Sequence, residues 1–390
     1  MRWSNVVAMC ILMAMTSGGR SVYCAQHREL PVDVYLDKMK GGWAGQMIGV
    51  SYGAPTEFKA CGKTYDAEIP AWSPDTIKNA LGQDDLYVQL SFLESIEKHS
   101  LDITHEQAGK AFAETGFPLW HANRQGRENV RKGIMPPDSG HPKNNPHCDD
   151  IDFQIEADLF GLVNPGLPGF SNAMCDIFGR IMNYGDGLYG GMFVAAMYTQ
   201  AFFESNVENV VRAGLRAIPM RSTYAAVIRD VLRWHRENPD DWRTTWKLVD
   251  DKWASKPSGR CSTGGINIDA KLNGAYVVMG LLYGDGDLAR TLEVSTRCGQ
   301  DSDCNPSSAA GVLCTMLGYS GIPEKYKAGI PTVADQKFAG VKYAFNEAIP
   351  TCLKVARESI RRAGGSSKTI EEKEVFLIPV RYPVAPKLEQ

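Results

Sequence analysis

The chain has 390 residues, 44% hydrophobic and 22% charged, with a formal net charge of −3, enough to build a substantial buried core. The near-neutral balance, with no clustered run of Lys and Arg, gives no electrostatic basis for binding nucleic acid or an anionic membrane. No segment after the N-terminus approaches the ~20 apolar residues of a membrane span.

In chain order, residues 1–25 read as a signal peptide. Arg2 supplies positive charge, Val6–Met15 is a short apolar run, and Thr16-Ser17-Gly18-Gly19 follow. The expectation is an exported protein, periplasmic or extracellular, whose mature form carries no membrane segment. Cys10 and Cys24 leave with that leader. Cys61, Cys148, Cys175, Cys261, Cys298, Cys304, Cys314 and Cys352 remain, without CxxC spacing and several in apolar helical patterns, so mostly free thiols are expected.

Gly41, Gly45 and Gly49 fall four apart and offer one helix a flat strip for close packing. Phe58–Thr76 and Arg131–Pro146 read as long loops. The spacing of Leu86, Leu90, Leu93 and Ile96 predicts a helix. Further helices are predicted at Gly190–Glu204, Val207–Ile218, Ser222–Asn238, Asp241–Trp253, Ala270–Tyr283, Asp287–Arg297, Pro306–Leu317 and Gln336–Arg362. Strand-like alternation is nearly absent before Val375–Tyr382, and Gly364-Gly365-Ser366-Ser367 reads as a linker. The sum is an all-α fold with a short extended C-terminal tail.

Several motifs fail on context. Gly185–Gly190 matches GxGxxG but follows a predicted helix, Ala173–Tyr184, rather than a strand. His105-Glu106 begins HExxH, but Gly109 stands where the second His belongs. Gly299–Pro306 (GQDSDCNP) looks like the start of a calcium loop, yet Pro306 and Val312 occupy the positions that need Gly and Glu. Asp301 and Asp303 instead precede a helix of small residues. One Asp there serves as a cap; two leave a surplus of charge. Gln83-Asp84-Asp85 repeats the arrangement before another helix. Four carboxylates in one place repel unless a cation bridges them, and hard divalent ions take carboxylate oxygens.

Cys148–Asp158 (CDDIDFQIEAD) reads as a helix with an apolar stripe of Ile151, Ile155, Leu159 and Leu162. Asp149, Asp152 and Glu156 lie on an adjacent face. With Asp150 they form either a solvated acidic face or a substrate wall that carries a general acid or base. Asn183, Tyr184 and Asp186 are expected to line the same pocket. Trp242, Trp246 and Trp253, at helical spacing, are expected in the core.

Three motifs in order resemble the ADP-ribosylglycohydrolase family over roughly Asp33–Pro323. They are Asp37–Phe58, ending in Gly-x-Pro-x-Glu-Phe; Gln83-Asp84-Asp85-Leu86, in place of Thr-Asp-Asp-Thr; and Gly299–Cys304, in place of Gly-x-Asp-x-Asp-Thr. The resemblance implies a compact orthogonal helical bundle, with a catalytic domain over 29–363 and an extension over 364–390. It also implies hydrolysis of an N- or O-glycosidic bond by metal-positioned water. The implied metal ligands are Gln83, Asp84, Asp85, Asp301, Asp303 and Cys304. Asp301, Asp85 and Glu57 take the catalytic roles, with Glu57 also a substrate contact. One or two Mg²⁺ ions are implied, with Ca²⁺ or Mn²⁺ as alternatives.

Gln83, Leu86 and Cys304 each replace a threonine, and Val50-Ser51 replaces Asp-Ala. Thiolate is a poor ligand for a hard cation. These departures leave room for a substrate other than ADP-ribose, and export, which sits awkwardly with removing ADP-ribose from intracellular proteins, points to a ribose-like or other furanosyl small molecule or glycan; a monomer is expected. The alternative is a non-catalytic carbohydrate- or nucleotide-binding protein on the same fold.

Overall fold

The computed structural model describes residues 26–254, 262–263 and 265–389. The leader expected at 1–25 lies outside the described residues, as does Cys261. Helices account for nearly all the regular structure, and the chain is all-α in class. Among the described residues no helix is long and apolar enough to cross a membrane.

The central packing is a close contact between the helices Val32–Gly53 and Cys304–Leu317. The glycine strip makes it feasible. A methyl group on Gly41, Gly45 or Gly49 would come within 2.3, 2.3 and 2.2 Å of the carbonyl oxygens of Cys314, Ala310 and Pro306. Backbone therefore lies on backbone along the whole interface. Around this pair stand Asp84–His99, Asp186–Ala201 and Ala270–Gly284. The last two are buried on nearly every side, as helices apolar all round must be.

Three predicted elements differ from the structure. The Gln336–Arg362 segment becomes helical only at Phe345, because Lys337 pairs with Ala344 in a bridge and the Glu347 carboxylate accepts the Ala344 N–H at 2.8 Å. Asp241–Trp253 is helical over Trp242–Val249 and then widens into a π-turn over Asp250–Ala254. Cys148–Asp158 is not one helix: Asp152–Glu156 and Asp158–Leu162 are separate short helices. Trp242 and Trp246 are buried in the core as expected, and Trp253 is packed against it half-buried.

The extended C-terminal segment folds as a hairpin, Ser366–Ile370 with Lys373–Pro379. The second strand also pairs antiparallel with His27–Pro31. Ser366 and Ser367 are thus strand residues rather than linker, and the two ends of the described chain are joined by a sheet. Beyond it the tail runs to Arg180, where Glu389 forms an ion pair. Among the described residues Cys61, Cys175, Cys298, Cys304, Cys314 and Cys352 are free thiols.

Candidate active site

A cleft of about 440 Å³ opens where the helices Asp84–His99 and Cys304–Leu317 begin. Glu57 enters it from the turn that ends the first helix. Two backbone hydrogen bonds, Phe58 N–H to Gln300 O (3.1 Å) and Gln300 N–H to Ala60 O (2.9 Å), fasten that turn to the Asp301 loop. Phe58 and Gln300 both take positive φ, 52° and 56°, so the two segments are locked in backbone shapes that side chains disfavour.

Glu57, Gln83, Asp84, Asp301, Asp303 and Cys304 all line this cleft. Asp85 lies just beneath, fully buried. The Cys304 thiol stands between the two acidic pairs. It groups with Asp84 and Asp85, and separately with Asp301 and Asp303, donor atoms in each group falling within 4.8 Å of one another. Asp303 also caps its helix, its Oδ1 accepting the Cys304 N–H at 3.0 Å.

The electrostatics are those of acids crowded out of water. Burial, and then Asp303, push Asp84 up to about 6. Burial, and then Asp303 and Asp84, push Glu57 up to about 7. Asp85 and Asp301 are held well above the ordinary carboxylate range, by burial first and by neighbouring carboxylates second. No Lys or Arg is among the described residues lining the cleft. Both oxygens of Asp85 lack a hydrogen-bond partner, and a buried carboxylate left so is costly.

These residues fit a hard divalent cation, which would relieve the repulsion and engage the orphaned oxygens. Gln83 lines the cleft while its Nε2 donates to Asn79 Oδ1 at 2.6 Å. Cys304 fits less well, since burial pushes its thiol well up and keeps it protonated.

The Cys148–Asp158 acids divide. Asp152 lines the cleft, and its Oδ1 accepts the Asn123 N–H at 3.0 Å. Glu156 is buried behind it and accepts from Asn123 Nδ2. Neither belongs to a solvated face; both carboxyls are pushed well up, chiefly by burial. Asp150 is buried beside His147 and His121, outside the cleft lining.

The expectation that Asp149, Asn183, Tyr184 and Asp186 line the substrate pocket is not met. Asp149, Tyr184 and Asp186 border a separate depression that Glu389 enters. Asn183 is a buried brace: its Nδ2 donates to the Cys148 and Asp150 carbonyls and its Oδ1 accepts the Phe153 N–H. The broken helix explains the division, because the turn at 148–151 sends Asp149 and Asp152 to different sides.

Sequence reasoning missed Phe58, Tyr87, Trp120, His121 and Ile268, all of which line the cleft. Ile151, Ile155, Ile268 and Cys304 form a small apolar cluster of their own, with Phe58 against it and apart from the main core. One wall of the cleft is therefore apolar and another acidic. Trp120 stands at the mouth, 55% exposed. Its only sequence signal was a position just before an amphipathic helix, His121–Arg131.

A family model described as ADP-ribosylglycohydrolase matches residues 31–350. The chain belongs to the ADP-ribosylglycohydrolase family. Its fold is similar to that of a solved "ADP-ribosylglycohydrolase-related protein complex", with a TM-score of 0.51 and 13% sequence identity over 84% of this chain and 99% of that one. A comparison with curated proteins finds no match. Membership in the ADP-ribosylglycohydrolase family implies hydrolase activity, and the matched span contains all the acids of the cleft.

Proposed function

We propose that this ADP-ribosylglycohydrolase family member is an exported, Mg²⁺-dependent glycoside hydrolase acting on a ribosyl or other furanosyl substrate. The observation that carries the reading is the convergence of five mutually repelling acids at one cleft, with Asp85, Asp301 and Asp303 buried, Asp84 half-buried and Glu57 open at its edge. Export rests on the apolar leader at residues 6–15.

Asp84, Asp85, Asp301 and Asp303 would hold the cation, with the Gln83 amide oxygen as a further donor. When bound, a divalent cation offsets their charge, clamps vicinal sugar hydroxyls and makes water more acidic. Asp301 or Asp85 orients the attacking water and takes its proton as the bond to the anomeric carbon forms. Glu57 holds the sugar. Asp152, kept protonated by burial, donates a proton to the departing group as the glycosidic bond breaks. Ile151, Ile155 and Ile268 exclude bulk water from that side.

Purified protein assayed on ADP-ribosyl, nucleoside and furanosyl substrates tests this reading. Chelation should abolish turnover and Mg²⁺ restore it, and Asp301→Asn should lower kcat by about 100-fold or more. Full activity in Asp301→Asn would sink the proposal. The protonated Cys304 between the acid pairs is the feature that favours a non-catalytic binder. That reading calls for sugar affinity indifferent to chelator and no turnover.

A further inference from the structure

A second set of donors adjoins the same cleft through His121, which lines it, and shares no residue with the acidic cluster. His121 Nδ1 and His147 Nδ1 lie 3.4 and 3.1 Å from the same oxygen of Asp150, Oδ2. The three atoms fall within 4.8 Å of one another. Ligands held about 2.0–2.1 Å from a first-row ion sit about 2.9–3.4 Å apart, depending on geometry, which matches both nitrogen-to-oxygen separations; without an ion, the shorter of them is a hydrogen bond between His147 and Asp150.

The scaffold fixes them. Asn145 Nδ2 donates to Ala122 O at 3.0 Å and to Met182 O at 2.8 Å, and its Oδ1 accepts the His147 N–H at 3.0 Å. One buried amide thus ties the His147 loop to the start of the His121 helix. Asn183 Nδ2 holds the Asp150 carbonyl at 2.8 Å, and Asp150 bridges to Asp269. The imidazoles meet edge to face with centroids 5.3 Å apart. His121 sits at φ 33° and lines the cleft. The histidine side chains are 36% and 29% exposed while the Asp150 carboxylate is fully buried, so the donor set is closed behind and open in front.

We propose that His121, His147 and Asp150 form a binding site for a divalent first-row transition ion, with open coordination facing the cleft. Two imidazole nitrogens and one carboxylate oxygen suit Zn²⁺, Co²⁺ or Fe²⁺ better than Mg²⁺. Three protein donors with room for another ligand are the arrangement of reactive rather than structural sites. The chain would then carry two chemically distinct cation sites at one cleft, a hard acidic one and an imidazole one.

The test is titration of chelator-stripped protein with Co²⁺ in excess Mg²⁺, followed by calorimetry and visible absorption. Co²⁺ should bind with d–d bands in the starting protein and equally well in Asp301→Asn. His147→Ala should weaken it by more than the about 10–100-fold that loss of an outer-shell partner costs. His121→Gln gives a second reading, and circular dichroism checks the fold of each variant. Unchanged Co²⁺ affinity in both histidine variants overturns the proposal, as does loss of binding in Asp301→Asn alone.

Discussion

Thr56 Oγ1 and Ser302 Oγ lie 2.7 Å apart, buried beneath the cleft. Thr56 also donates to the Gly53 carbonyl at 2.8 Å. A hydroxyl has one proton, so Ser302 is the donor of the shared bond. The contact joins the residue before Glu57 to the residue between Asp301 and Asp303. Ser302→Ala should therefore cost about 1 kcal/mol, one net hydrogen bond. Thr56→Val should cost more, since it strands both the Ser302 hydroxyl and the Gly53 carbonyl. The double variant should cost less than the sum of the two. Urea unfolding of all three checks this, and strict additivity would refute the coupling.

Gly49 gives the sharper test of how the acids are placed. A methyl group there meets the Pro306 carbonyl oxygen at 2.2 Å and the Ser307 Cα at 2.6 Å, both backbone atoms that cannot rotate away. Gly49→Ala must push the Cys304–Leu317 helix outward, carrying Asp303 with it. The expected outcome is a loss of about 1–3 kcal/mol of stability together with weakened Mg²⁺ binding by calorimetry. Gly116→Ala is the control for handling, since nothing lies within 4 Å of a methyl group there and its φ is not in the left-handed region. Unaltered Mg²⁺ affinity in Gly49→Ala would separate the glycine strip from the site.

The glycine strip and both acidic pairs were legible in the sequence because each is a local pattern. A spacing of four marks one helix face, and surplus acids before a helix exceed what capping needs. The pocket wall was not legible in the same way. Ile151 and Ile155 obey helical spacing, but nothing local says that the chain breaks at Ala157 or that Ile268, over a hundred residues away, completes the cluster. Asp186 illustrates the same limit. Its carboxylate accepts the Tyr224 N–H at 3.0 Å, a long-range brace that leaves no trace in the residues around it. Val375–Tyr382 announced a strand, whereas its partner His27–Pro31 lay too close to the leader to stand out.

Stability should depend on pH in opposite ways with and without the cation. In an unfolded chain Asp84 and Glu57 titrate near ~4, whereas the fold pushes them up to about 6 and about 7. Between those values the metal-free fold retains protons that the unfolded chain has released. Their contribution is therefore full below about pH 4 and is lost as pH rises through 6 to 7. A cation binds the ionised acids, so its stabilising effect grows over the same window. The Tm of chelated protein should fall between pH 5 and pH 8, and the rise in Tm on adding Mg²⁺ should be larger at pH 8. An equal Mg²⁺ effect at both pH values would mean that these acids do not hold the ion.

Trp120 belongs to the cleft by position and to the surface by exposure, at 55%. A large aromatic ring left open to water at a cleft mouth contributes little to folding, and on the proposed glycoside-hydrolase reading it offers a face on which a ring can stack. The face of a furanose or a planar leaving group would cover the ring while the acids engage the sugar hydroxyls. Trp120→Ala should then raise KM several-fold, the equivalent of about 1 kcal/mol, and leave kcat and Tm nearly unchanged. Trp120→Phe should recover most of the affinity, because the stacking face survives. The split between KM and kcat is the deciding measurement. A fall in kcat at constant KM would instead place Trp120 in support of the neighbouring His121, whose positive φ makes it sensitive to any change in the residue before it.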